Sequence, residues 1–136
     1  MENNEPMTPW ELFGVECEKG WEKLITPLFE YIEKYNKGKP EEEQIIIDQV
    51  KEKFAGLRFY VTNPTEELNL MIRDAEAESY CVCEKCGSTE DVGMLKMGSW
   101  YYTRCRKCAQ GIVNSFKKPG QFKRGEEIIT LEPEEV

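Results

Sequence analysis

The chain has 136 residues, with 18 Lys and Arg against 26 Asp and Glu, a formal net charge of −8 and a sequence pI near 4.8. At 40% hydrophobic and 11% aromatic it has enough apolar material for a core of ordinary size, and no run approaches the roughly 18 apolar residues of a membrane span. The acidic balance disfavours unguided association with DNA, and the absence of His removes the commonest catalytic base and the usual open zinc site.

That average conceals a polarity along the chain. Residues 1–95 hold 10 bases against 21 acids, whereas residues 96–125 hold Lys96, Arg104, Arg106, Lys107, Lys117, Lys118, Lys123 and Arg124 with no acid. Residues 126–136 then add five Glu and no base. Three segments are expected: an acidic domain of helices and a β-hairpin over 1–80, a zinc ribbon with a basic aromatic surface over 81–125, and an acidic strand and tail over 126–136. The polar opening Met1–Met7 has neither the basic start nor the apolar run of a secretory signal. With the cysteine usage below, it places the chain in a reducing cytoplasm as an expectation.

Thr8-Pro9-Trp10-Glu11 reads as a helix start, with Thr as N-cap and Pro at the first helical position, and Gly14 ends that helix early. Trp10, Leu12, Phe13 and Val15 are expected in the core. A longer helix is expected from Gly20 to Asn36, because Trp21, Leu24, Ile25, Leu28, Phe29, Ile32 and Tyr35 recur at three- and four-residue steps. Pro27 inside that pattern should kink the helix or restart it, with Thr26 capping the second part. Residues 45–62 fit a hairpin turning at Ala55-Gly56, Phe54 pairing with Leu57 and Val50 with Val61, although the first half also fits helical steps. Asn63-Pro64-Thr65-Glu66 should cap a third helix running to about Tyr80, with Leu68, Met71, Ile72, Ala75 and Ser79 inward. Beyond it, short strands are expected over 91–96 and 99–104 around Gly98, a brief helix over 109–116, a turn at Lys118-Pro119-Gly120-Gln121 and a last strand over 126–131.

The motif with the most chemical content is Cys83-x2-Cys86 followed, after eighteen residues, by Cys105-x2-Cys108. Each Cys-x2-Cys turn aims two sulfurs at one point, and a β excursion of about 15–20 residues returns the chain to close a tetrahedron. Zinc is the expected ion, because it accepts four soft thiolates without redox chemistry; a four-thiolate iron centre is the rival. A disulfide framework needs an oxidising compartment, and a thioredoxin-like role needs a single such motif near a βαβ pattern. All four ligands are sulfur, so the site reads as structural rather than catalytic. Cys81 could compete with Cys83, though the spacing favours the latter, and Cys17 stands alone; both read as reduced thiols.

The basic segment interleaves cations with aromatic rings. Lys96, Trp100, Tyr102, Arg104, Arg106, Lys107, Lys117, Lys118, Lys123 and Arg124 are the candidate surface for nucleic acid or a protein partner. Some of these cations are equally needed to offset the −2 charge of a four-thiolate zinc site. The acidic segment would suit a basic partner, and solvated helix faces explain most of it. No Walker loop, dinucleotide glycine motif or nucleophile elbow is present, so no enzymatic activity and no small-molecule substrate are expected.

The stretch Lys51-Glu52-Lys53-Phe54-Ala55-Gly56-Leu57-Arg58-Phe59-Tyr60-Val61, followed by a helix and Cys83-Glu84-Lys85-Cys86-Gly87, resembles a family of small uncharacterised bacterial and bacteriophage proteins. In that family a Val-Lys-Glu-Lys-Phe-Gly-Gly-Leu-Arg-Phe-Tyr stretch precedes a zinc-ribbon-like Cys-x2-Cys pair. The likeness spans roughly Trp21 to Cys108, and Ala55 stands where the first glycine is usual. The resemblance implies a phage or prophage origin, hence a host-takeover or anti-defence role, and brings no catalytic residues. The expectation is therefore an α+β fold, N-terminal helices packed on a small antiparallel hairpin with a C-terminal zinc ribbon. Its expected work is recognition of a host protein, a nucleic-acid-associated one among the candidates. Direct binding of single-stranded nucleic acid is the alternative.

Overall fold

The computed structural model describes residues 14–134. The expected helix start at Thr8-Pro9-Trp10-Glu11 and the expected core residues Trp10, Leu12 and Phe13 lie outside them. Among the described residues the fold is α+β, with three α-helices and two antiparallel sheets. No helix there is long and apolar enough to cross a membrane.

The apolar spacing after Gly20 produces a 3₁₀ turn, Lys19–Trp21, leading into helix α1, Glu22–Asn36. Trp21, Ile25, Leu28, Phe29 and Ile32 are buried, with Leu24 and Tyr35 packed beside them. Pro27 does not divide the helix at Thr26. It lies early in α1, in the second turn, where loss of one N–H removes a single intrahelical bond.

Strands β1 (Ile46–Lys53) and β2 (Gly56–Thr62) form a hairpin, but with a different register from the expected one. Lys53 pairs with Gly56 and Val50 with Phe59, so the turn is Phe54-Ala55 rather than Ala55-Gly56. Both turn residues have positive φ, +51° and +72°, the backbone of a two-residue type I′ turn. Its twist matches that of the strands, which outweighs the lack of Asn or Gly at these positions. Helix α2 (Glu66–Glu78) follows, its cap as expected: the Thr65 hydroxyl accepts from the Leu68 N–H at 3.0 Å. Residues of α1, β1, β2 and α2 meet in one buried cluster that also takes in Ile45 and Val82.

The second sheet contains β3 (Val92–Met97), β4 (Trp100–Cys105), β5 (Gly120–Arg124) and β6 (Glu127–Leu131), in the spatial order β4-β3-β5-β6. Gly120-Gln121, expected within a turn, open strand β5, which pairs Leu95 with Phe122. Helix α3 (Arg106–Phe116) starts three residues earlier than expected, directly after Cys105, and packs Ala109 and Val113 against Leu95, Phe122 and Leu131.

Candidate metal centre and the adjoining groove

The two Cys-x2-Cys turns sit at different kinds of chain reversal. Cys83 and Cys86 lie in the loop leaving α2, after a 3₁₀ turn over Ser79–Cys81. Cys105 ends β4 and caps α3, so the strand-to-helix junction itself presents Cys105 and Cys108. The sulfur atoms of Cys83, Cys86, Cys105 and Cys108 all lie within 4.8 Å of one another. Cys86 and Cys105 sulfurs are 3.7 Å apart. A tetrahedral ion about 2.3 Å from each sulfur requires sulfurs about 3.8 Å apart, so the donor set fits a four-coordinate metal ion. Cys81, two residues upstream, is exposed and outside the group.

Within each turn the backbone already treats the first sulfur as an acceptor. The Cys86 N–H donates to Cys83 Sγ and the Cys108 N–H to Cys105 Sγ, each at 3.5 Å. Burial works to raise the Cys83 thiol, yet N–H groups of Cys86, Cys105 and Lys85 outweigh it and bring it down to about 7. Burial pushes the Cys105 and Cys108 thiols up, and neighbouring sulfurs add to this at Cys108. Four clustered sulfurs cannot all ionise unaided; a cation would let them. Cys17, outside the group of four, is pushed up to about 12 by burial and then by the nearby Glu84, Glu18 and Glu52, which favours the protonated thiol.

Glu84, between Cys83 and Cys86, fixes the first turn against both halves of the molecule. Its N–H donates to the Thr103 carbonyl at 3.1 Å and its own carbonyl accepts from the Gly20 N–H at 2.6 Å. Its carboxylate accepts from the Glu18 N–H at 3.0 Å and from Arg104 Nη1 at 2.9 Å. Gly20 is required there: a Cβ would stand 2.2 Å from the Cys83 carbonyl oxygen. The Trp21 indole N–H donates to the Val82 carbonyl at 2.8 Å, and the Thr103 hydroxyl donates to the Ala55 carbonyl at the hairpin tip at 2.6 Å. None of these partners is adjacent in sequence, which is why Glu84, Gly20 and the Trp21 indole carry no motif.

The basic segment divides. Arg104, expected on the exposed surface, is only 6% exposed and is held by Glu84 and by the Thr103 carbonyl, its guanidinium lying over the Tyr102 ring. Its Nε has no hydrogen-bond partner among the described residues. Burial of a charge needs such pairing, so this arginine is structural and not free to meet a phosphate. Arg124 is exposed but ion-paired with Asp91. Lys96 and Lys123 lie on the sheet face opposite Leu95 and Phe122, Lys96 above the Tyr101 ring. Arg106, Lys107, Lys117 and Lys118 are exposed at the two ends of α3.

Trp100, Tyr102 and Lys118 come together. With Met97, Phe116 and Pro119 they line a cleft of ≈ 210 Å³. Tyr102 and Phe116 also line a second cleft of ≈ 410 Å³ that continues along α3, past Cys108 and Gly111 to Lys85 and Glu18 on the facing wall. The two clefts form one groove between α3 and β4, beside the metal centre. Trp100 is 71% exposed and Phe116 57% exposed at its rim. Comparison with protein-family models, with curated proteins and with solved structures finds no match to this chain.

Proposed function

We propose that the chain is a non-enzymatic binding protein whose C-terminal half is a zinc ribbon, with one structural Zn²⁺ on Cys83, Cys86, Cys105 and Cys108. The sulfur cluster carries this reading: four donors within 4.8 Å, two of them already accepting backbone N–H groups. With all four donors sulfur, no coordination position remains for water or substrate. Zinc bound there supplies cross-linking and charge neutralisation, on the order of 10 kcal/mol or more in isolated fingers. Elemental analysis separates zinc from iron.

The partner we assign is a host protein, in keeping with the phage and bacterial proteins that the Lys51–Val61 segment resembles. The character of the groove supports protein over single-stranded nucleic acid. An aromatic rim suits either partner, but Arg104, a cation that phosphate binding would use, is engaged by Glu84. Direct phosphate binding predicts affinity falling log-linearly and steeply with salt. The test is a paired substitution, Trp100→Ala with Phe116→Ala, in tagged protein exposed to host lysate. The pair should retain metal and fold while losing the specific proteins that the wild type captures. Unchanged capture, together with tight and salt-sensitive binding of oligothymidylate, would overturn the assignment.

A further inference from the structure

We propose that the outer edge of strand β6 receives a basic extended segment of the partner, which adds to the four-stranded sheet beside Ile128. The inference rests on the protein-recognition reading above and adds a second surface, since β6 and β4 are opposite edges of that sheet.

The hairpin geometry fixes which backbone groups face outward. Strands β5 and β6 join through Gly125-Glu126, with Gly125 at φ +59° and Arg124 paired with Glu127. A two-residue turn with positive φ at its first position alone is type II′, and its flanking residues exchange both N–H···O bonds. Alternation along the ladder then turns the N–H and C=O groups of Ile128 and Thr130 away from β5. Each of the other three sheet edges has partners along it. Glu16 exchanges backbone bonds with Val50 and Glu52 of β1. In β2 the Leu57 and Phe59 N–H groups donate to the Ser79 hydroxyl and the Glu76 carboxylate, and in β4 the Thr103 carbonyl accepts from the Glu84 N–H. Among the described residues no hydrogen bond reaches the outward groups of Ile128 and Thr130. Nothing in the strand blunts this edge either. Its register with β5 is unbroken, Glu127–Leu131 contains neither Pro nor Lys, and Ile128 is 60% exposed.

Charge gives the sign of the occupant. Glu126, Glu127 and Glu132 are exposed at the two ends of the strand, and none is ion-paired among the described residues. Of the two cations in β5, Arg124 pairs with Asp91, which leaves Lys123 alone against those three carboxylates. The same acids disfavour a second copy of this chain. Antiparallel pairing of β6 with itself that satisfies the outward groups of Ile128 and Thr130 sets Glu126 opposite Glu132 at each end, like charge facing like. A basic strand instead brings cations to both ends and an apolar side chain beside Ile128.

The experiment uses the full zinc-loaded chain and three labelled probes followed by fluorescence anisotropy. They are a peptide with a Val-Thr-Val centre and two Lys at each end, its counterpart with Glu for Lys, and the Lys peptide N-methylated throughout its centre. The Lys peptide should bind saturably with Kd below about 1 mM, and the Glu peptide should not. N-methylation removes the strand's donors and keeps every charge, so it should weaken binding at least about tenfold. Ile128→Pro deletes one outward N–H without touching the β5 ladder, and should retain metal and fold while losing at least about tenfold in affinity. The pair Glu127→Lys and Glu132→Lys should weaken binding as well. Equal binding of the N-methylated peptide, or indifference to Ile128→Pro, overturns the inference. Loss of Lys-peptide binding in Trp100→Ala with Phe116→Ala would move the peptide to the groove, ending the edge assignment while protein recognition stands. A chain that sediments as a dimer, dissociated by Ile128→Pro, would give the edge to a second copy instead. Absence of saturable binding up to the millimolar range also overturns the inference, and leaves capture from host lysate as the separate test of protein recognition.

Discussion

The two halves of this molecule are held together by different physics. The N-terminal half gathers thirteen buried residues, from two helices, a hairpin and the segments beside them, into one cluster. The C-terminal half has a four-stranded sheet and a helix, yet its cluster contains five. At about 1.5–3 kcal/mol per large apolar side chain, burial stabilises the second half much less than the first. A small domain with so thin a core ordinarily needs a cross-link or a metal. The cysteine cluster sits where that deficit arises, between the α2 exit and the β4–α3 junction. The contrast implies that one half should survive perturbations that dissolve the other.

The largest expected effect follows from removing a ligand. Cys105→Ser should abolish slow amide exchange in β3–β6 and α3 while α1 and α2 remain protected, read by hydrogen exchange with mass spectrometry. Uniform loss across the chain would mean the halves are one cooperative unit. Next is the joint between them. Glu84→Gln leaves Arg104 buried with a weakened partner and should cost about 3–4 kcal/mol by denaturant unfolding, whereas replacing both by Met should cost far less. Equal costs would show that the pair does not matter as a pair.

How much of this was legible in sequence depends on how local each signal is. The cysteine spacing, the α1 stripe and the Thr65 cap involve neighbours in the chain, and each is where the sequence puts it. Strand β5 was hidden because Phe122 is its one large apolar residue, between Gln121 and Lys123 on a face left to solvent. The hairpin register slipped by two because Phe54-Ala55 lacks the Asn-Gly signature of its turn. Arg104 looked like a surface cation because its partner Glu84 is twenty residues away. Pairings of that kind are set by the tertiary fold and leave no local pattern.

Two smaller effects sharpen the comparison. Gly20→Ala drives a methyl into the Cys83 and Glu84 carbonyls and should destabilise by about 2–3 kcal/mol in thermal or denaturant unfolding. A neutral result would show that the first cysteine turn is not tightly seated on the α1 entry. Ala55→Gly relieves a left-handed alanine at +72° and should stabilise the hairpin tip by about 1 kcal/mol. Its effect should appear in the N-terminal half and leave metal affinity unchanged; a change in metal affinity would show that the Thr103–Ala55 contact couples the halves.

Metal content with and without chelation tests the central claim most directly. The account predicts one zinc per chain by mass spectrometry, and selective loss of exchange protection over 82–134 once it is stripped. A chain purified without stoichiometric metal, or one whose protection over 82–134 is unchanged by exhaustive chelation, would contradict it.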